Sequence, residues 1–381
     1  MGGTVIHRLR RRTETLSTEC VRGLVHRLAL WLTHLMADDS RQVQRISDMR
    51  RLHFTYDKIK KGLRDGSLTQ VRHGAVVDGP IQQTARARQL ELIDATVPVL
   101  AGPRWALSHT SAVALLGLPM TRDGAESVWI TRSSDASTQH HPPLIVRACE
   151  FGDDEVIDVN GLLVTTPERT AMDMARQFGF VTGTMIADAV LRGGSTPNKL
   201  LSIVTRAPRR PGNAIARDVA GFADRRSESP GESLMRAVLE RERCAPTDLQ
   251  IDIFDEHGRF VARCDFDWLE YGVVGEYDGP QKYFRNLKPG QSISDAIVAE
   301  KAREADIRDQ GLEVVRFCLE DLRNPRAAAA RLRRLCRQRG LLKTPWTNPV
   351  PLAPPDDGPW QRGALQIPWT GIPEAPPTDS P

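Results

Sequence analysis

The sequence has no CxxC pair, no uninterrupted apolar run long enough to cross a bilayer, no internal repeat and almost no net charge. Each absence excludes something. The six cysteines (Cys20, Cys149, Cys244, Cys264, Cys318, Cys336) are scattered, which argues against a zinc ribbon or a disulfide framework and fits a reducing cytoplasm. The most apolar stretch, 24–36, is interrupted by His26, Arg27 and His34 and is shorter than the roughly 20 residues a spanning helix needs. A signal peptide is not expected either. The Arg-rich start (Arg8, Arg10, Arg11, Arg12) has the right charge, but the apolar run ends in Ala37-Asp38-Asp39 without a small-residue cleavage pattern. Residues 1–39 read as an N-terminal extension, either an amphipathic accessory helix or sequence ahead of a later start at Met36 or Met49. The 52 Lys+Arg nearly balance 48 Asp+Glu, giving +4, so any nucleic-acid surface must be local.

What is present suits a globular chain of two or three domains: 381 residues, 40% hydrophobic and 26% charged. From 345 to 381 the chain changes character, with eleven of its 26 prolines and little periodicity, so 341–381 reads as a disordered tail. Its three tryptophans, Trp346, Trp360 and Trp369, leave a docking role open.

The first ordered block spans 40–80. Residues 41–51 read as a helix. Thr55 caps a second one over 56–64, and Asp65-Gly66 stops it. Two short apolar runs around Arg72-His73-Gly74 then signal a hairpin. Helix, turn, helix, hairpin is the order of a winged helix-turn-helix. Nine Lys/Arg stand against three Asp between Arg41 and Arg72, a local excess suited to phosphates. A recognition helix reads through its N-terminal half, which here offers Thr55, Tyr56 and Lys58, with Lys61 one turn on and Arg72 at the wing turn. Ordinary solvated lysines on a small helical subdomain are the competing reading.

The second block, 81–225, is mixed α/β. Ser108-His109 opens an apolar helix ended by Gly117 and Pro119, and 128–130 and 144–147 are short strands. Thr166 caps a helix after strand 164–165, with Pro167 at its first position and Glu168 facing the helix dipole. His109 has no nucleophile and partner nearby in sequence, so it is read as a capping or core histidine. The segments YDKIKKGLRDGSLTQVRHGAVV, ALSHTSAVALLGLP and GLLVTTPERTAMDMAR, within 41–225, resemble actinobacterial relatives of the AbiEi antitoxins of type IV toxin–antitoxin systems. That resemblance implies a DNA-binding winged helix that represses its own operon. It also implies a following interaction domain that counteracts a nucleotidyltransferase toxin.

The third block, 229–340, carries the chemistry. A helix over 232–239 is followed by strand 249–254, the turn Asp255-Glu256-His257-Gly258, strand 259–268, strand 273–278, a charged helix over 295–310 and strand 312–317. The order is α-β-β-β-α-β, and a final helix to Arg339 carries seven arginines. Asp265 interrupts an apolar strand, and Glu276 and Asp278 share one strand face. A carboxylate at a core-facing strand position is costly unless paired or bound to metal. Three acids on neighbouring strands suit Mg²⁺, and Glu232 offers a fourth carboxylate. The segments SPGESLMRAVL, FVARCDFDW, VVGEYDGPQKY and AEKAREADIRDQGLEVVRF, within 229–323, resemble the PD-(D/E)XK nuclease superfamily, most closely its Vsr-like branch. The resemblance implies an αβββαβ restriction-endonuclease-like core and Mg²⁺-dependent endonuclease activity. It makes Asp265 the metal-binding Asp, Glu232 the helix acid, and Glu276 or Asp278 the third ligand. Two positions depart from the pattern: Asp278 stands where the motif has Lys, and Cys264 where it has Pro. Lys282 or Lys301 would then supply the basic group.

The competing structural reading makes Asp267 an exposed strand acid, Glu300, Lys301, Arg303 and Glu304 a solvated helix face, and Asp265 the partner of Arg263 or Arg316. The expectation is therefore a cytoplasmic, multidomain α/β protein: a nuclease directed by a winged helix, or a non-catalytic DNA-binding antitoxin and regulator.

Overall fold

The computed structural model describes residues 41–341 apart from 103, 122–123, 133–137 and 280–292. The N-terminal extension, the tail beyond 341 and Lys282 lie outside the described residues. The protein is mixed α/β with three sheets. Its chain divides into two compact units. The first runs to Gln70 and adds Gly74–Pro80; the second comprises Val71–His73 and everything from Ile81 on.

The first unit begins with β1 (Gln44–Arg45) and α1 (Ile46–Arg51), continues with α2 (Tyr56–Asp65) and the start of β2 (Leu68–Arg72), whose last two residues count with the second unit, and ends with β3 (Ala75–Asp78). The helix expected over 41–51 is thus shorter. Gln44 and Arg45 pair antiparallel with Val76 and Ala75, giving a sheet of order β1-β3-β2. Arg41 donates to the carbonyls of Asp78 and Pro80, and Gln44 to the Asp78 carboxylate at 2.9 Å. These long-range bonds hold the segment extended against its local helical tendency. Thr55 caps α2, and Gly66 ends it at φ 76°, a conformation glycine adopts without penalty. Met49, Ile59 and Val76 form the core.

The second unit opens with α3 (Ala85–Thr96), β4 (Trp105–Leu107), α4 (His109–Leu115), β5 (Val128–Arg132), β6 (Gln139–His141), β7 (Leu144–Ala148), β8 (Val156–Val159) and β9 (Leu162–Thr165). The six strands form one mixed sheet of order β6-β7-β5-β4-β9-β8. Then come α5 (Pro167–Arg192), α6 (Pro197–Thr205) and α7 (Asn213–Phe222). Thr166 and Pro167 start α5 as the sequence predicts, the threonine hydroxyl accepting from the Arg169 amide. Gly179, at φ 87°, breaks α5. Beyond the break Met185 and Ile186 pack with Leu200 of α6 and Val219 of α7.

The third block supplies α8 (Pro230–Arg241), β10 (Leu249–Phe254), β11 (Phe260–Trp268), β12 (Val273–Asp278), α9 (Ile293–Asp309), β13 (Glu313–Cys318), α10 (Leu319–Arg323) and α11 (Pro325–Arg339). The expected α-β-β-β-α-β order is present; the final arginine-rich helix is divided at Asn324, which caps α11. The sheet runs β10-β11-β12-β13, antiparallel except for the parallel pair β12–β13. On one face Met235 and Leu239 of α8 and Leu332 of α11 pack on Phe266 and Phe317. On the other, Ile307 of α9 packs with Ala262, Val274 and Leu312. The α8 helix also rests on α5, where buried Arg236 donates to both carboxylate oxygens of buried Asp188 at 2.8–2.9 Å. Among the described residues no helix is long and apolar enough to cross a membrane.

Candidate functional site

Ser229, Pro230 and Gly231 set the position of the helix acid. Ser229 caps α8 by accepting from the Glu232 amide at 3.1 Å, with Pro230 at the first helical position. Gly231 lies against the ring of Tyr277 on β12, so closely that a Cβ there would sit 2.0 Å from a ring carbon. This close approach buries Glu232, which is 8% exposed. The carboxylate accepts from the Glu228 amide at 2.8 Å and from the Gln250 side-chain amide at 3.0 Å. The same Gln250 nitrogen lies 3.4 Å from Asp265 Oδ1, and Asp265 Oδ2 accepts from the Tyr277 amide at 2.7 Å. Glu232 and Asp265 are thus two carboxylates drawn to one amide.

The strand pair changes face at this point. Leu249 belongs to the core under α8, yet Ile251, two residues on, belongs to the core under α9. Regular strands keep such residues on one side. Gln250 makes the switch at φ 56°, a strained value for a side chain with a Cβ. Its partner strand does the same, with Cys264 under α9 and Phe266 under α8, so Asp265 falls at the bend. Burial, with the charge of Asp265 beside it, pushes the Glu232 carboxyl up to about 8.

Glu276 and Asp278 go elsewhere. The register Phe266↔Gly275 places Glu276 one step beyond the last β11–β12 pair, across from Asp265, while the β12–β13 register sets it beside Arg316. Arg316 Nη1 lies 3.2 Å from Glu276 and 2.9 Å from Asp278, and it also contacts Glu300; its Nε donates to Glu304 at 3.0 Å. Arg303 reaches Glu276 at 2.8 Å. Burial opposes the charge of Arg316, but Asp278, Glu276 and Glu300 together hold its proton more tightly than usual. Among the described residues, Glu276, Asp278 and Glu300 are the group of three carboxylates close enough to share a metal, their oxygens within 4.8 Å of one another. A guanidinium already stands among them.

The acids expected as one cage, Asp265, Glu276 and Asp278, therefore fall into two adjoining groups: Asp265 with Glu232, and Glu276 and Asp278 with Glu300 around Arg316. Two parts of the competing structural reading are corrected. Glu300, Arg303 and Glu304 are not a solvated face, because α9 turns them onto the sheet and into this network. Lys301 is exposed, and among the described ion pairs Arg303 of α9 reaches Glu276. Asp267 is buried, not exposed, and accepts from the Asp248 amide at 2.6 Å. Arg263 pairs with Asp252 across the β10–β11 hairpin. Several of the final arginines also have structural partners: Arg331 binds Asp321, and Arg333 and Arg339 bind the Glu242 and Gly311 carbonyls. Arg326, Arg334 and Arg337 are exposed.

In the first unit Thr55, Tyr56, Lys58 and Lys61 are all exposed on α2. The Thr55 hydroxyl is engaged as the cap, and Lys60 lies 4.7 Å over the Tyr56 ring. Arg72 is the last residue of β2 and half-buried, while His73 is exposed at the turn.

No family model matches the chain. Two curated Mycobacterium tuberculosis relatives, the uncharacterised proteins MT2308 of strain CDC 1551 / Oshkosh and Rv2248 of strain ATCC 25618 / H37Rv, are each 30% identical over 178 residues, 46% of this chain. The chain spans 62% of the length of these relatives. Among solved structures, the RV2827C protein from Mycobacterium tuberculosis matches with 14% identity, covering 57% of this chain and 85% of its own, at a TM-score of 0.31.

Proposed function

We propose that residues 229–340 are a PD-(D/E)XK-type nuclease core that hydrolyses nucleic-acid phosphodiesters with a divalent metal, Mg²⁺ by preference for hard oxygen ligands, brought to DNA by a winged helix over 40–80. The observation that carries the reading is the Glu232–Asp265 pair: two carboxylates, one of them buried, sharing a single amide at a strained bend in the sheet. Burial first, and then the charge of Asp265, raises the Glu232 carboxyl, and a cation between the two carboxylates would offset both. Asp265 and Glu232 would hold the ion, with Glu276 across from Asp265 as the third acid. Bound there, a divalent ion supplies Lewis acidity toward a phosphodiester and a nucleophilic hydroxide near neutral pH. Gln250 fixes both carboxylates, Arg303 and Arg316 orient Glu276, and the exposed arginines of α11 hold the nucleic-acid backbone electrostatically.

A second reading has one observation in its favour. Arg316 fills the space among Glu276, Asp278 and Glu300, and Asp278 stands where the motif has its lysine, which suits a scaffold that has lost catalysis. The protein would then be an AbiEi-like antitoxin and transcriptional regulator, partnered with a nucleotidyltransferase toxin. Incubation with single- and double-stranded substrates in Mg²⁺ or Mn²⁺ separates the two. The nuclease reading expects cleavage that Asp265→Asn lowers by about 10³-fold or more while the fold persists. Absence of both cleavage and metal-dependent stabilisation leaves the regulator.

A further inference from the structure

A second charged centre lies in the six-stranded layer, remote in sequence from the acids above. Asp173 of α5, buried and 3% exposed, is the common partner of three guanidiniums: Arg169 at 2.7 Å, Arg176 at 2.8 Å and Arg210 at 3.0 Å. Arg169 is shared with Glu155 at 2.7 Å. Arg176 also donates to Asn213, and Arg210 to the Glu150 carbonyl at the exposed rim. A fourth guanidinium, Arg147 of β7, lies 5.3 Å over the Trp129 ring and donates to the Gln177 side chain, a neutral partner. His109 stacks on Trp129 at 4.8 Å, with its Nδ1 2.9 Å from the Ser108 hydroxyl. Burial pushes this histidine down to about 4, so it is neutral in the physiological range, with the opposing charges of Asp173 and of Arg147, Arg169 and Arg210 as smaller influences.

The charges at this centre are shared unevenly. Among the described ion pairs of this centre, Arg169, Arg176 and Arg210 share Asp173 and Glu155, while Arg147 has only a neutral partner. For a salt-bridge core meant only to hold helices together, a guanidinium paired with a neutral group is a cost. Two of the four, Arg147 and Arg210, are only partly buried and reach toward solvent. Burial makes both Arg147 and Arg210 hold their protons less tightly than usual, Arg210 down to about 10. The backbone is strained here as well, with buried His109 at φ 50°. Planar guanidiniums with unspent donors, over an aromatic wall and beside a neutral histidine, are the equipment for a tetrahedral oxyanion.

We propose that this cluster is a binding site for a phosphate group, contacted by Arg147 and Arg210 and braced by Asp173, Arg169 and Arg176. The ligand is a small phosphate-bearing anion, either free phosphate or the phosphate of a nucleotide. Its negative charge suits Arg147, whose described partner is neutral, and Arg210, which shares Asp173 with two other guanidiniums. Asp173 is a positioning residue, fixing three guanidiniums by one carboxylate.

The full chain is titrated with inorganic phosphate, pyrophosphate, AMP and ATP, against sodium chloride at matched ionic strength, by calorimetry and by melting temperature. Saturable binding is expected. Phosphate and AMP binding alike would indicate that the phosphate alone is read, whereas AMP or ATP binding without phosphate would indicate a nucleotide. Arg147→Gln and Arg210→Gln are each expected to weaken binding about tenfold or more, because each removes a charge-assisted contact while Asp173 keeps other partners. Arg209→Gln, next to Arg210 and exposed, is expected to leave affinity unchanged. Should a variant fail to fold, ³¹P line broadening of phosphate by the wild-type chain reads the site directly. Lack of saturable binding of all four anions, or equal loss in Arg209→Gln, overturns the proposal.

Discussion

Arg316 and Glu276 face each other across the parallel strands β12 and β13, 3.2 Å apart, and the same guanidinium holds Asp278 and touches Glu300. One cation on the last strand thereby gathers acids from β12 and α9.

The Arg316→Gln substitution should therefore loosen the chain and create a metal site at once. Removing a partly exposed guanidinium from four carboxylates should cost about 2 kcal/mol, less than the loss of a fully buried pair. Because Glu276, Asp278 and Glu300 then repel one another, Mg²⁺ or Ca²⁺ should recover most of the drop in melting temperature. Melting curves with and without divalent ions check both halves. Destabilisation that neither ion relieves would mean that the three acids do not converge on a common cation.

Glu232 predicts an unusual pH dependence. An unfolded glutamate titrates near 4.3, and the folded one is pushed up to about 8, so between these values the folded chain binds more protons. Stability must then fall as pH rises from about 4.5 to 8, by at most about 1.4 kcal/mol per pH unit from this group. Glu232→Gln should flatten that slope relative to wild type in denaturant titrations at several pH values without metal. Added Mn²⁺ should stabilise the wild type most at the alkaline end and the variant hardly at all.

Gly231 offers a purely steric test. A methyl group at this position overlaps the Tyr277 ring, so α8 must lift or the ring must turn. Gly231→Ala should destabilise by about 1–3 kcal/mol in spite of alanine's better helix propensity. In the variant with Tyr277→Ala also present, most of that cost should vanish, and the double-mutant cycle would show strong coupling. Simple additivity would place the clash elsewhere.

For the first unit, the exposed lysines of α2 are the direct probe of DNA contact. Replacing Lys58 and Lys61 together with Gln should reduce the slope of log affinity against log salt by about 1.8, roughly 0.9 for each phosphate that is no longer neutralised. Half-buried Arg72 should contribute less than either lysine. Binding isotherms over a range of salt give the slope, and an unchanged value would move the DNA surface away from α2.

Much of the framework was legible because its signals are local. Thr55 and Thr166 act as caps where they stand in sequence, Pro167 opens a helix, and the turn at Asp255–Gly258 closes a hairpin, whereas α8 starts at Pro230, capped by Ser229, two residues ahead of the expected 232. The strands that carry Asp265, Glu276 and Asp278 were also readable from alternation. The partners of those acids were not. Whether Glu300 and Glu304 face water or Arg316 depends on how α9 crosses the sheet, and a charged helix with no apolar stripe carries no mark of its buried side. The face change at Gln250 is likewise invisible, since glutamine is not a residue expected at positive φ. The arginine cluster about Asp173 draws on Glu155, Arg169, Arg176 and Arg210, which meet only after the six-stranded layer and three helices have closed.

The Asp188–Arg236 pair bears on how this chain can be rearranged. Asp188 has no contact with water, and Arg236, besides binding both its oxygens, donates to the Phe222 carbonyl and lies 4.0 Å over the Phe222 ring. Exchange of the four-stranded layer for another sequence, without a matching change in α5, would strand a carboxylate in an apolar interior. The two layers are in this sense one inheritable piece: recombination within 223–229 separates a charge from its counter-charge, and a viable chimera needs to carry a neutral residue at 188 or bring its own arginine.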